Sequence, residues 1–587
     1  MADEEIHIHD IIIVGAGPCG LALAARLHES TPSALFTDSE HQRYHWMKAS
    51  STTKHPKARR TSRRSNTVTD RLLRGPSLPS KSSMDIAVLD AHSDKWMSAW
   101  DAKFEDLKIS HLRSPMFFHP DPRDRDGLLS FAYRQGRERE LREIQGVVGK
   151  GLSKHQRKMK MKDNGKERQE TSYLDERDRN DYFRPSQALF KRYCEDVVER
   201  YALGELVEKS EVTSISYAAS LIDSGPGVFT LETSTGVKKA CIVVFAVGAA
   251  LKPSLPSGCP FCGLETTGGV THAFMHSSPS PSIKVRTRTN LPEHVLRKIA
   301  TKTQTDIIVV GGGLTSAQIV DSAISAGVTK VWHIMRGRIK VKHFDVDLPW
   351  VGKYKNYHLA TFWSADDDEE RFEMVRDARG GGSITPEYHK ILFSHKAKGS
   401  LSIHTETQVT GAVWDDKSRT WEVETDPKIE GLPRIDHVVY ATGLQVDFKT
   451  ISAIQPLLEQ DEIKCVGGIP CLTDDLMWSE KVPFFVSGRL ASLRLGPGAG
   501  NLEGARMGAE RVAWKVGELL RQWEVRGGNV CEDGDEGPKA VRWDSEYGSI
   551  GSGEKEVVDG RRLGLGIENQ FSVLGLGDKD SKECGDG

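Results

Sequence analysis

Long apolar runs are missing from this chain of 587 residues, whose mean hydropathy is −0.44. No stretch approaches the roughly 20 apolar residues that a bilayer-spanning helix requires, so no membrane partner is expected. Net charge is nearly absent as well: 80 Lys and Arg against 82 Asp and Glu leave −2. That balance supplies no field to select nucleic acid or an anionic membrane surface. Cysteine is scarce, with nine residues mostly scattered along the chain, which fits reduced thiols better than a disulfide framework. The opening Met1-Ala-Asp-Glu-Glu5 has neither the basic nor the apolar region of a secretory signal. The expectation is a soluble cytoplasmic protein, long enough for roughly two or three domains with full cores.

What is present begins at Asp10. Ile11-Ile-Ile-Val14 runs straight into Gly15-Ala-Gly17-Pro-Cys-Gly20, and a small-residue helix from Leu21 to Leu27 follows. This order predicts a buried parallel strand, a tight turn and a helix whose N-terminus is open to a pyrophosphate. In that reading Gly15 permits the turn, Gly17 lets phosphate reach the backbone, and Gly20 lets helix and strand pack closely. A glycine motif alone is weak, but here both flanks are right. Asp38 ends the next apolar stretch, Ala34-Leu-Phe-Thr, 23 positions after Gly15. An acid about 20 residues on is the expected partner of the adenosine ribose hydroxyls.

Downstream, a Ser/Thr/Arg/Lys-rich stretch over 49–83 lacks the apolar surface to order itself and reads as a flexible insertion. Its Lys57-Ala-Arg-Arg-Thr-Ser-Arg-Arg64 reads as a solvated loop, with a nuclear address or polyanion patch as the alternative. Trp96, Met97, Trp100, Phe104 and Leu107 recur at helical spacing and predict a buried helix face. His111-Leu-Arg113-Ser-Pro-Met-Phe-Phe-His-Pro-Asp-Pro122 is too rich in proline and aromatics for regular structure. It suits either a segment lying along a flavin ring or a packed loop. A second charged insertion spans about 146–180. Phe190 to Tyr201 then predicts an amphipathic helix, and strands follow at 212–217, 228–236 and Cys241-Ile-Val-Val-Phe-Ala-Val-Gly248.

At Asp306 the opening pattern returns as Ile307-Ile-Val-Val-Gly311-Gly-Gly313-Leu-Thr-Ser316, with serine in place of the third glycine. The following strand, Lys330-Val-Trp-His-Ile-Met335, ends in Arg336-Gly-Arg338 instead of an acid. Arginine pairs bidentately with a 2′-phosphate, so this site is expected to prefer NADPH to NADH. A hairpin over 409–424 and His437-Val-Val-Tyr-Ala-Thr-Gly443 repeat the close of the first unit. A third signal, Phe484-Phe-Val-Ser-Gly-Arg489 and Gly496-Pro497-Gly-Ala-Gly-Asn501, leads into a long helix from Glu503 to Trp523. The tail beyond is Gly/Asp/Glu-rich with little periodicity.

From Ile11 to Trp523 these residues resemble the class B flavin monooxygenase superfamily, which holds the flavin-containing, Baeyer–Villiger and N-hydroxylating ornithine and lysine monooxygenases. The resemblance implies an α/β fold of two Rossmann-like dinucleotide-binding domains, the NADPH domain inserted in the FAD domain. The expected division is 1–252 for the first part of the FAD domain, 253–300 for a linker, 301–435 for the NADPH domain, 436–526 for the rest of the FAD domain, and a mostly disordered tail over 527–587. It puts Gly15, Gly17, Gly20 and Asp38 on FAD, and Gly311, Gly313, Ser316, Arg336 and Arg338 on NADPH. Gly443 matches the family's second linker, and Gly496, Pro497 and Asn501 its closing flavin contact. Thr271-His-Ala-Phe-Met-His276-Ser-Ser278 is similar to the His-Ser element before the NADPH unit. Two family fingerprints are incomplete. Gly268 and His272 have the Baeyer–Villiger spacing, but Thr266 stands where an aromatic belongs. Pro279-Ser280 replaces the aromatic that continues the N-hydroxylase element. Trp96, Trp100, His111 to Pro115 and Tyr182-Phe-Arg-Pro-Ser186 are also similar to flavoproteins near the oxidative-stress-induced growth inhibitors.

The implied activity is hydride transfer from NADPH to FAD, activation of O2 as a flavin hydroperoxide, and oxygenation of an amine, sulfur compound or ketone, with N-hydroxylation favoured. The cofactor carries that chemistry, so no acid–base pair is required. His276 and Arg113 are the polar groups to test first. Two alternatives stay open: a disulfide reductase using Cys259-Pro-Phe-Cys262, and a regulator built on a flavoprotein fold.

Overall fold

The computed structural model describes residues 6–30, 32, 84–147, 181–220, 226–248, 252–256, 258–261, 269–274, 291–352 and 355–527. The two charged insertions and the tail fall almost entirely outside them, as do Asp38, Cys262, Gly268 and His276. Among the described residues no helix is long and apolar enough to cross a membrane.

The chain opens with β1 (Ile8–Val14) and α1 (Pro18–His28). Ile11, Ile12 and Ile13 have no exposed surface. A strand apolar on both faces belongs inside a parallel sheet, where each such side chain contributes about 2 kcal/mol. On one side of β1 lies β2 (Ile86–Asp90), and on the other β3 (Gly236–Phe245), both parallel to it. Strands 212–218 and 228–233 form an antiparallel extension on β3. The outer strands are 207–209 beside β2, and β7 (Val482–Val486) with 477–479 beside β3. The first unit is therefore a single eight-stranded sheet gathered from widely separated stretches.

The second unit repeats it: β4 (Asp306–Val310), α2 (Leu314–Ser325) and β5 (Lys330–Met335) reproduce β1, α1 and β2. β6 (His437–Tyr440) pairs parallel to β4 as β3 pairs to β1. With 401–405 and 270–272 these make a five-stranded parallel sheet. Sheet pairing thus crosses the expected division of the chain. Val270–His272 was expected in a linker and His437–Tyr440 in the FAD domain, yet both are ladder strands of the second sheet. The cause is the repeat itself, since the Val-Val-Tyr strand takes the place that Val-Val-Phe holds in copy one.

The expected hairpin forms over 408–426, and the amphipathic helix spans Gln187–Arg200. The helix expected from Trp96 starts at Ser98 instead, because Met97 adopts a left-handed φ of +62°. α3 (Leu502–Gly527) packs against α1 through small residues, Ala24 and Ala25 facing the same core as Ala505, Ala509 and Ala513. Arg26 fastens the pair, donating from Nε and Nη2 to Glu510 at 2.6 and 3.0 Å.

Candidate functional site

The first turn assigns a distinct constraint to each glycine. Gly15 has φ +110°, and an added Cβ would stand 2.6 Å from the Ala246 carbonyl oxygen. A Cβ on Gly20 would stand 2.1 Å from the Gly15 oxygen, so only glycine lets α1 lie this close to the turn. Gly17 caps α1 with ordinary extended backbone, and among the described residues, its two chain neighbours aside, none comes within 4 Å of its Cβ position. Among the described residues nothing covers the amides at this helix start, the arrangement in which a phosphate is bound. Cys19, next in the turn, is no nucleophile: burial pushes its thiol up to about 11, opposed in part by a hydrogen bond with Ser487.

The acid beside this turn is Asp90, which ends β2. Its Oδ2 accepts from the Ala16 amide at 2.9 Å, and its Oδ1 from the amides of His92 and Ser93. The Gly15 amide donates to Leu89 O at 2.8 Å. Because the strand paired with β1 is Ile86–Asp90, the acid-bearing position expected at Asp38 belongs to Asp90. The signal was present, as Ile86-Ala-Val-Leu-Asp90 is another apolar run closed by an acid. It lies 74 positions beyond Ala16, however, where about 20 is usual.

In the second turn Gly311 has φ +145°, and an added Cβ would meet Ala441 O at 2.5 Å. Gly313 caps α2. Ser316 fills the third-glycine position and donates from Oγ to Gly313 O at 2.7 Å. Beneath it, His333 Nε2 donates to Gly311 O at 2.7 Å and lies 3.2 Å from Ser316 Oγ. Burial pushes His333 down to about 4, so its ring is neutral. Gly382 is pressed against this turn from outside, where its Cβ would stand 2.9 Å from the Gly313 amide nitrogen. Arg336 and Arg338 are exposed just past β5, and Arg338 pairs with Glu406 at 3.1 Å. By register, Asp90 corresponds to Met335, and Arg336 comes one position later.

Two crossing segments join the sheets. Ser254 N donates to Gly443 O at 2.9 Å, and Gln445 N to Lys252 O at 2.8 Å, with Gly443 at φ +89°. Thr442 Oγ1 donates to Ser254 O and lies 3.3 Å from His272 Nε2. His272 accepts from the Phe274 amide at Nδ1, and burial, aided by Lys103, pushes it down to about 4. At the closing turn Gly496 has φ +80° and Pro497 starts a short 3-10 turn. Asn501 Oδ1 caps α3 by accepting from the amides of Glu503 and Gly504 at 3.0 and 3.2 Å. Arg379 donates to Pro497 O at 3.0 Å and pairs with Asp345 at 3.1 Å, linking this turn to the chain that follows β5.

Arg113 is a clamp. Its Nε donates to His343 O at 3.1 Å, and its Nη2 reaches Lys342 O, Phe344 O and Ser383 Oγ at 2.9, 2.5 and 3.0 Å. Burial pushes this guanidinium down to about 10. The residue, singled out as a polar group to test first, holds the 342–344 segment in place. The loop around it is anchored from behind: Tyr193 OH and Arg200 donate to Asp121 Oδ2 at 2.8 and 2.7 Å. Burial opposes ionisation of Asp121, but His119 and Arg200 outweigh it and hold its carboxyl below the usual range. Cys259 is buried in an aromatic cluster, its thiol 3.4 Å from Tyr440 OH.

No protein-family model matches the chain, and no curated protein matches it by sequence. Solved structures share its fold. The ornithine hydroxylase of Pseudomonas aeruginosa aligns with a TM-score of 0.54 at 15% identity, over 88% of this chain and 100% of that one. The ornithine N-hydroxylase of Kutzneria sp. 744, solved with reduced FAD, NADP+ and L-ornithine, aligns at 0.53 and 15%, over 88% and 100%. The cadaverine monooxygenase of the desferrioxamine pathway of Erwinia amylovora, solved bound to FAD, aligns at 0.52 and 14%, over 88% and 94%. At these identities the likeness is one of fold.

Proposed function

We propose that the protein is an FAD-dependent monooxygenase reduced by NADPH, which N-hydroxylates a small amine. The balance is R–NH2 + O2 + NADPH + H+ giving R–NHOH + H2O + NADP+. The observation that carries this reading is the pair of glycine turns with opposite chemistry at the neighbouring strand ends, Asp90 for one and Arg336 for the other. The open face at Gly17 fits a pyrophosphate, and a scaffold without ligand has no need to keep it open.

In this reading FAD is held by Gly15, Gly17, Gly20 and Asp90, with Gly443, Gly496, Pro497 and Asn501 closing around it. NADPH is held by Gly311, Gly313 and Ser316, with Arg336 and Arg338 taking the 2′-phosphate. The bound flavin supplies hydride acceptance and dioxygen activation. The protein's part is to orient the two dinucleotides and keep water out. Arg113 and Arg379 serve it by fixing the chain after β5 against the closing turn. The disulfide-reductase alternative loses support from Cys259, whose thiol packs inside an aromatic cluster.

The test is anaerobic reduction of the purified flavoprotein by NADPH, then oxygen with a panel of primary amines, with hydroxylamine product measured. Reduction by NADPH in preference to NADH and amine-dependent product are expected. Failure of a flavin to copurify, or a bound flavin left oxidised by NADPH, sinks the proposal.

A further inference from the structure

Far from both glycine turns, at the opposite end of β1, the first sheet brings three ligating side chains together. His7 and His9 stand two residues apart where β1 begins, so extended backbone points them the same way. Asp85 immediately precedes β2 and is fixed beside them by pairing of the strands. Ile11 N donates to Asp85 O at 3.1 Å, and Asp85 N donates to Asp10 Oδ2 at 2.8 Å. One carboxylate oxygen, Asp85 Oδ2, lies 2.5 Å from His7 Nε2 and 2.9 Å from His9 Nδ1. The three ligand atoms fall within 4.8 Å of one another.

Hydrogen bonding alone accounts poorly for this convergence. Exposed pairs of this kind contribute little against the rotamer freedom of three side chains. The donor set has another property: two imidazole nitrogens and one carboxylate oxygen are the ligands of Zn2+ and similar ions. With bonds of about 2.0–2.2 Å, ligand atoms around tetrahedral Zn2+ stand roughly 3.3 Å apart. The two carboxylate–imidazole pairs need open by less than about an ångström to reach that spacing, and the two imidazole nitrogens, at most 4.8 Å apart, need close to it. The Asp10 carboxylate on the Asp85 amide supplies the outer support that orients a ligand. The His9 side chain is 18% exposed and that of His7 72%, so one side is walled by protein and the other open to water.

We propose that His7, His9 and Asp85 form a binding site for a divalent transition-metal ion of the zinc class, with water completing the shell. Binding replaces the two bridging N–H contacts with metal–ligand bonds: the proton on each ligating nitrogen passes to the other ring nitrogen or to water, and nothing is oxidised or reduced. The ion clips the start of β1 to the start of β2 and stabilises the fold by mass action.

The experiment uses the full chain free of affinity-tag histidines, stripped with a chelator and titrated with Zn2+ in equilibrium dialysis and thermal melts. The expected result is one ion per chain and a Tm raised by Zn2+. His7→Gln and Asp85→Asn should each weaken binding at least tenfold and remove the Tm increase, while His389→Gln, on a helix of the second unit, leaves both unchanged. His7 is exposed, so its variant folds even if His9→Gln does not. Absence of Zn2+ binding by the wild type, or wild-type affinity in His7→Gln, overturns the proposal.

Discussion

Among the described residues, chain neighbours aside, none approaches within 4 Å of where a Cβ on Gly17 would stand, whereas the equivalent Gly313 has Gly382 against it. The first turn is tied sideways to an acid, Asp90, and left open in front. The second is propped from beneath by Ser316 and a neutral His333, covered in front by glycine, and flanked by exposed arginines. Two copies of one backbone have thus been given different entrances. An open cradle with its own acid suits a dinucleotide that stays; a cradle reached past exposed arginines suits one that arrives, reacts and leaves.

Substitutions sharpen that contrast. The largest effect is expected at Gly20, where alanine drives a methyl into the Gly15 oxygen at 2.1 Å. Gly20→Ala should lose on the order of 3 kcal/mol of stability and come out of expression flavin-free. Gly17→Ala should melt within about 2 °C of wild type yet lose at least tenfold in FAD affinity, read by fluorescence of the released flavin. If it melts low with flavin binding intact, Gly17 is structural and the open-cradle reading fails. Asp90→Asn keeps a weaker acceptor for the Ala16 amide and should cost about 1 kcal/mol together with severalfold in FAD affinity. Asp38→Asn should change neither, and the reverse outcome would restore Asp38 as the ribose partner.

At the second turn Arg336→Ala should raise the KM for NADPH roughly 10- to 100-fold and leave NADH kinetics unchanged. Arg338→Ala should do less, because Glu406 already shares its charge. The smallest effect separates the two turns by pH. Above 6.5, the ordinary histidine value, His333 is neutral folded or unfolded and contributes no pH dependence. Between 6.5 and about 4 the unfolded chain takes up a proton that the folded chain refuses, so stability falls as pH falls. His333→Gln, which keeps a donor for Gly311 O, should flatten the decline of Tm over that window; an unchanged slope would remove His333 from the account.

Much of this was legible in residue order. Ile11 to Leu27 and Ile307 to Ser325 announce strand, turn and helix because apolar runs and glycine spacing are local signals. Ser316 and the arginines past β5 were visible in the same way. Asp90 was missed because a long insertion separates two strands that are neighbours in the sheet, and local periodicity carries no record of pairing. The pairing of strands 270–272 and 437–440 into the second sheet is long-range information of the same kind. Arg113 was legible as a conspicuous polar residue but not as a clamp, since its partners are mainly backbone carbonyls some 230 positions away, which have no sequence signature.

That insertion has a consequence for engineering. Chain leaving α1 at His28 must return to Asp85, and both ends belong to one strand–helix–strand unit. Closing a longer loop adds only about 0.6 kcal/mol per doubling of its length. Loop closure therefore sets little limit on the length of the span between α1 and β2.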